Sequence, residues 1–143
     1  METLDEIADK LRSSKLSTIT PQQVPPFSSS SIDFQRTVGN AGGAPVWSTT
    51  ERIRLQNGQV QWIQNLGLAN ESTIVWADSV PADLQGETAN GADDNANGLI
   101  DESGLCFTFT GSSVLVRLTM RSKTSSGTTL THTGQERIFF RNR

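Results

Sequence analysis

The sequence predicts an α+β fold, rich in strand, in which one N-terminal helix packs on antiparallel β-sheet. Three observations carry this. Apolar residues recur with helical spacing near the N-terminus, the pattern changes to alternation from Ile32, and Asn57-Gly58 sits between two alternating runs as the dipeptide that tight hairpin turns prefer. At 143 residues the chain suits one domain, with enough length to bury a real core.

The helix is expected over residues 3 to 14. Thr3 and Glu6 form a T-x-x-E capping box, and Leu4, Ile7, Ala8 and Leu11 follow at i, i+3, i+4 and i+7, placing them on one face. A helix this short is marginal alone in water, so its apolar face must pack against the apolar side of a sheet. Ser13, Ser14 and Ser17 weaken it and Pro21 closes it. Residues 20 to 31, with three prolines and four serines and no periodicity, read as an extended surface connection with Val24 and Phe27 as its anchors.

The β-domain is expected over residues 32 to 143. Ile32, Phe34, Arg36 and Val38 share one face of a strand at 31 to 38, which Gly39 to Pro45 end. A two-residue turn at Asn57-Gly58 then sets a register that can be checked from sequence. It pairs Gln56 with Gln59, Leu55 with Val60, Arg54 with Gln61 and Ile53 with Trp62, so apolar meets apolar and polar meets polar. Residues 72 to 77 give a further strand, with Trp76 in the core. Leu105, Phe107 and Phe109 alternate, Gly111 to Ser113 turn the chain, and Val114, Val116, Leu118 and Met120 alternate again. After a turn at Ser125-Ser126-Gly127, Leu130 to Phe140 closes a three-stranded meander, with a break expected near Gly134.

Composition narrows the function. The formal net charge is -3 and the basic residues are scattered, which removes nucleic acid as a partner. Charged residues are only 19% and tyrosine is absent, a balance that suits a protein working outside the cytoplasm. The single cysteine, Cys106, excludes an internal disulfide and reads as a small buried hydrophobe; with His132 it makes no zinc site. No run approaches the length of a transmembrane helix or a secretory signal peptide.

The densest chemistry lies in residues 91 to 104, GADDNANGLIDESG. Counting from Asp93, side-chain oxygens fall at positions 1, 3, 5 and 9 (Asp93, Asn95, Asn97 and Asp101), with Gly98 at position 6 and Ile100 at the apolar position 8. This is most of an EF-hand-type loop. Calcium takes six to eight oxygens at roughly 2.3 to 2.6 Å, and the Leu99 carbonyl would add the main-chain ligand while Ile100 pins the loop to the core. Position 12, which an EF-hand gives to a bidentate Glu, is Gly104, so a further carboxylate is expected from Glu102, with Asp94 or a residue elsewhere as the alternatives. With only two charged ligands at the core positions, affinity is expected in the weak extracellular range, roughly 10^-4 to 10^-3 M, unless the fold brings in another carboxylate. The competing reading is an ordinary polar loop rich in Asp, Asn and Gly.

No catalytic signature accompanies this loop, and the expectation is a protein without turnover. A phosphate-binding Gly-rich loop, a G-x-S-x-G elbow and an H-E-x-x-H motif are all missing from the sequence. His132 has no nucleophile to serve. Asp93, Asp94 and Glu102 as a glycosidase pair would leave the intervening asparagines and glycine without a task. The tryptophans read as core rather than as a sugar platform.

The D-x-N-x-N-G-L-I-D-E loop running directly into a β-meander, the V-R-L-T-M strand after it and the final R-I-F-F-R-N resemble the globular part of bacterial minor pilins and pseudopilins, most nearly the J-type pseudopilins of type II secretion. The resemblance spans most of the chain. It implies a pilin-like fold and a structural subunit that primes or caps a type IV pilus or type II secretion pseudopilus, contacting other pilin or pseudopilin subunits. It also implies an inner-membrane anchor, through a long apolar helix behind a short leader, of which residues 3 to 14 would be the solvent-exposed end. The expected location is the bacterial cell envelope, at the inner membrane and in the periplasm, or outside the cell in an assembled pilus. Many pilin-type domains carry a disulfide, and the resemblance gives the metal loop that task of tying down an irregular segment. The alternative is a freestanding extracellular calcium-dependent binding or adhesion module.

Overall fold

A computed structural model describes residues 2–140. Helix α1 (Glu2–Arg12) forms where the apolar spacing places it, with Leu4, Ile7, Ala8 and Leu11 all buried. Glu2 and Asp5 in its first turn and Lys10 and Arg12 in its last complement the helix dipole. Thr3 does not act as a cap: it lies inside the helix and donates to the Trp76 carbonyl at 3.5 Å, so a tertiary contact replaces the expected capping box. At the other end the Ser13 and Ser14 hydroxyls donate to the Lys10 carbonyl at 3.1 and 2.9 Å, which competes with the helical ladder and helps stop the helix at Arg12.

Among the described residues nine strands follow: β1 (Ser31–Phe34), β2 (Thr37–Ala41), β3 (Ala44–Trp47), β4 (Glu51–Gln56), β5 (Gln59–Gln64), β6 (Ser72–Ala77), β7 (Leu105–Thr110), β8 (Ser113–Lys123) and β9 (Thr129–Phe139). They form a four-stranded sheet in the order β1-β4-β5-β6, a β2-β3 ribbon and a three-stranded β7-β8-β9 meander, every pairing antiparallel. The fold class is thus α+β, one N-terminal helix against antiparallel sheets, and mostly strand. The β4-β5 register pairs Ile53 with Trp62, Arg54 with Gln61, Leu55 with Val60 and Gln56 with Gln59. Asn57 and Gly58 take φ of 52° and 75°, both positive as a type I′ turn demands.

Several local expectations fail for identifiable reasons. The run at 31 to 38 is not one strand: β1 ends at Phe34, and Arg36 instead exchanges hydrogen bonds with Ser48, leaving Val38 52% exposed. Gly39 to Pro45 do not merely end it. Gly42 and Gly43, at φ 59° and 85°, reverse the chain into the β2-β3 ribbon. Val24 and Phe27, 57% and 53% exposed, do not anchor the connection. Its backbone does so, because Thr20 pairs with Asp33 of β1, Ser29 pairs with Phe107 of β7, and the Gln23 carbonyl accepts from the Phe109 N–H at 2.7 Å. Residues 20–31 therefore stitch one sheet to the other. β9 runs unbroken through Gly134, which pairs with Leu118.

One apolar cluster joins α1 to both sheets: Leu4, Ile7 and Leu11 meet Ile32, Phe34, Ile53 and Val60 on one side and Leu105, Phe107, Val114, Val116 and Leu118 on the other. The helix packs chiefly on β9 and β8, and Arg12 reaches Glu136 of β9 at 2.7 Å. Trp76 is half-buried and stacks on Trp62 with 5.3 Å between ring centroids, while the Lys10 ammonium sits 4.5 Å from the Trp62 ring. No helix among the described residues is long and apolar enough to cross a membrane. Of the terminal R-I-F-F-R-N stretch, Arg141 and Asn142 lie outside the described residues, as does Met1.

Candidate metal loop

Between β6 and β7 the chain forms no regular element, and its ends are clamped to each other. The Leu84 N–H donates to the Glu102 carbonyl at 3.0 Å, the Gly104 N–H donates to the Ala82 carbonyl at 3.1 Å, and Asp83 bridges Ser103. The Ile100 N–H donates to the Pro26 carbonyl at 2.9 Å, which ties the loop to the connection that stitches the sheets. Leu99, Leu84 and Val80 are buried beneath it. Ile100 was the expected pin but is only half-buried; the positive φ of Gly98, 85°, turns the chain so that Leu99 takes that place.

Glu102 is the hub. Its carboxylate is completely buried and accepts from Asn97 Nδ2 at 2.6 Å, Asn95 Nδ2 at 3.4 Å, Arg117 Nη1 at 3.3 Å and Cys106 Sγ at 3.7 Å. A buried carboxylate is tolerated only when charge and hydrogen bonds compensate it, and Arg117 of β8 together with the two asparagine amides does so here. The Asp93 carboxylate instead accepts the Asn97 and Gly98 N–H groups at 3.2 and 2.8 Å. Asp101 accepts from the Asn90 N–H at 2.9 Å and from the Gly91 N–H at 2.9 and 3.1 Å. Of the six residues expected to hold a cation, Asn95, Asn97 and Glu102 are thus brought together, while the Asp93 and Asp101 carboxylates shape the loop backbone. Leu99 adds a main-chain N–H bonded to Asn97 Oδ1 at 3.0 Å.

Two further residues matter: Gly104, at the twelfth position of the motif, and Glu87, which the spacing did not single out. Gly104 makes a close approach: a Cβ at that position would lie 1.9 Å from the Pro81 carbonyl oxygen, so no Glu fits where an EF-hand places its bidentate ligand. Glu87, only 7% exposed, turns its carboxylate into the loop, where Oε1 accepts from the Asp94 and Asp101 N–H groups at 3.4 and 3.3 Å. Its Oε2 is buried without a hydrogen-bond partner among the described residues, and so is Asn95 Oδ1. Desolvation raises the Glu87 carboxyl pKa above its ordinary value; the Asp94 and Asp101 N–H groups oppose that, and the Glu102 and Asp94 charges add to it. Nothing in the spacing points to Glu87, which precedes the motif and stands outside its period. The one hint was the shortage of carboxylates within the motif itself.

These donors suit a hard cation. They are all oxygens, and orphaned buried acceptors are rare enough in folded proteins to need an explanation. Among the described residues no three His, Cys, Asp or Glu side chains form a metal-holding group by themselves, so asparagine and main-chain oxygens would have to complete the shell around Glu87 and Glu102.

Other candidates offer less. Cys106 is buried, and desolvation, with the Glu102 charge next, pushes its thiol up to about 12, which leaves it unreactive at neutral pH. His132 is exposed opposite Met120 on β9. A separate open cleft of about 610 Å3, lined by Ser79, Val80, Pro81, Arg121, Ser122, Lys123 and Thr129, shares no residue with the loop. No family model, no curated protein and no solved structure matches the chain.

Proposed function

We propose that this chain is the globular domain of a minor pilin or pseudopilin, a structural subunit that primes or caps a type IV pilus or type II secretion pseudopilus and has no catalytic turnover. In this reading loop 91–104 is a calcium clasp that holds an irregular segment in place. The observation that carries it is the position of α1: an N-terminal helix whose apolar face is buried under antiparallel sheets, followed by a connection that stitches those sheets together. That arrangement suits a head domain mounted on the end of a longer helix. The clasp has independent support in the buried, unpartnered oxygens of Glu87 and Asn95.

A fold supports many functions, so the assembly role needs its own test. The native open reading frame should continue upstream into about 20 apolar residues behind a basic leader, the length needed to span a bilayer. The native protein should also co-purify from the envelope with other pilin-type subunits, while the isolated domain sediments mainly as a monomer. A conventional cleaved signal peptide, with recovery only on a soluble glycan or host protein, would instead establish an extracellular calcium-dependent binding module.

A further inference from the structure

We propose that Glu87 supplies the carboxylate that the loop lacks at its twelfth position, so that Glu87, Asn95 and Glu102 hold the calcium ion together. The inference rests on the calcium reading above and assigns the ion a ligand from outside the D-x-N-x-N-G motif. Gly104 has no room for a side chain, since a Cβ would meet the Pro81 carbonyl oxygen at 1.9 Å. The loop must therefore recruit its second Glu from elsewhere in the fold, and among the described residues Glu87 is buried and turned into the loop from a separate segment.

The Glu87 carboxylate is held in place by the loop it would serve. One oxygen is fixed by the Asp94 and Asp101 N–H groups, at 3.4 and 3.3 Å, while the other remains buried and unpartnered. Asn95 stands beside this segment, its Cβ only 3.2 Å from where a Cβ on Gly86 would lie, and its Oδ1 is the loop's other unpartnered buried oxygen. The Asn95 amide also reaches Glu102 Oε1 at 3.4 Å. Asn95 thus bonds one carboxylate and stands beside the segment that carries the other; the Glu102 charge disfavours ionised Glu87, a repulsion that a cation between them would remove. A divalent ion removes the repulsion and satisfies both orphaned oxygens. Arg117 and Cys106 occupy Oε2 of Glu102, whereas Oε1 accepts from the neutral Asn95 and Asn97 amides at 3.4 and 2.6 Å, partners that a cation at Oε1 would displace.

Glu87 would lock residues 84–87 to the Asp-Asn loop when calcium is present. Glu87 and Glu102 replace Asp93 and Asp101 as the two carboxylate ligands, so the Kd should stay in the weak range, roughly 10^-4 to 10^-3 M. The test is calorimetric titration of calcium chloride into the unsubstituted domain, Glu87→Gln and Asp94→Asn. Glu87→Gln keeps an oxygen for the two loop N–H groups but removes the charge, and should weaken binding at least about tenfold. Asp94→Asn removes an equal charge from an exposed carboxylate bonded to Thr88 and Asn90, and should change the Kd by less than about threefold.

Equal affinity for the unsubstituted protein and Glu87→Gln, or equal losses in the two variants, overturns the role of Glu87 while leaving the calcium clasp standing. An unsubstituted protein that takes up no calcium overturns both, and the unpartnered oxygens then belong to water or a proton. Should Glu87→Gln fail to fold, the Glu87 carboxyl 13C resonance of the unsubstituted protein decides the matter: it shifts on calcium saturation if Glu87 is a ligand, and a stationary resonance rejects it.

Discussion

The β7-β8 pair and the loop that leads into it meet at Gly104 and are held together by opposite means. In the strands the buried atoms are carbon. Leu105, Phe107, Val114, Val116 and Leu118 are all fully buried, and each contributes by leaving water, in rough proportion to its apolar area. In the loop the decisive buried atoms are oxygen. Glu87 and Glu102 were costly to desolvate and stay buried only because N–H groups, an Arg and, on our reading, a cation meet them. Apolar packing needs no bound ion, whereas a cage of carboxylates responds to the cation it can hold. On the calcium reading, one domain would carry a core indifferent to calcium and a segment whose order depends on it.

The most severe way to break this comparison is to attack the strands. Phe107 is fully buried in the cluster that joins α1 to both sheets, and Phe107→Ala should cost about 3–5 kcal/mol in urea denaturation. The loss should be the same in calcium and in chelator. A deficit that calcium repairs would mean that core and loop are not separable.

The next effect belongs to the loop. Calcium at about 100 times its dissociation constant should add about 2.7 kcal/mol, a rise of several degrees in melting temperature, and Phe107→Ala should retain that increment. Asp93→Ala and Asp101→Ala should behave differently from one another's charge alone, because both carboxylates also bind loop N–H groups. Each substitution should lower the metal-free stability by about 1 kcal/mol per lost hydrogen bond, as well as weaken the response to calcium. A melting temperature unmoved by millimolar calcium or by chelator would return the segment to an ordinary polar loop.

Legibility in the sequence divides along the same line. Helix α1 and the β4-β5 register were readable because apolar burial repeats at 3.6 or 2 residues, and Asn57-Gly58 fixes the phase of the second pattern. The β2-β3 ribbon was missed because neither strand buries an alternating face; only the Gly42-Gly43 pair marks it. In the loop, spacing singled out Asn95 and Asn97, and the missing carboxylate at position 12 added Glu102. It did not reveal that Asp93 and Asp101 are occupied by backbone N–H groups, because hydrogen-bond choice among equivalent oxygens follows local φ and not residue order. Glu87 was invisible for a related reason: its segment approaches the loop through tertiary clamps such as Leu84 to Glu102, and these have no period.

The smallest effects sharpen the comparison most, since they set two glycines against each other. Gly58 in the hairpin turn and Gly86 beside the loop both have positive φ, 75° and 85°, a region in which an L side chain is strained. At Gly58 an added Cβ meets only the Val80 carbonyl oxygen at 3.5 Å, an ordinary contact, so Gly58→Ala should cost the conformational term alone, about 1 kcal/mol. That cost should not vary with calcium. At Gly86 the added methyl lies 3.2 Å from the Asn95 Cβ, so the same substitution pushes on a residue proposed to touch the ion. Gly86→Ala should therefore match the loss of Gly58→Ala within about 1 kcal/mol in chelator but weaken calcium binding as well, visible as a larger stability difference between the two variants in calcium than in chelator. Equal behaviour in both solutions would show that Asn95 lies outside the cage, and would move the cation toward Asn97 and Glu102.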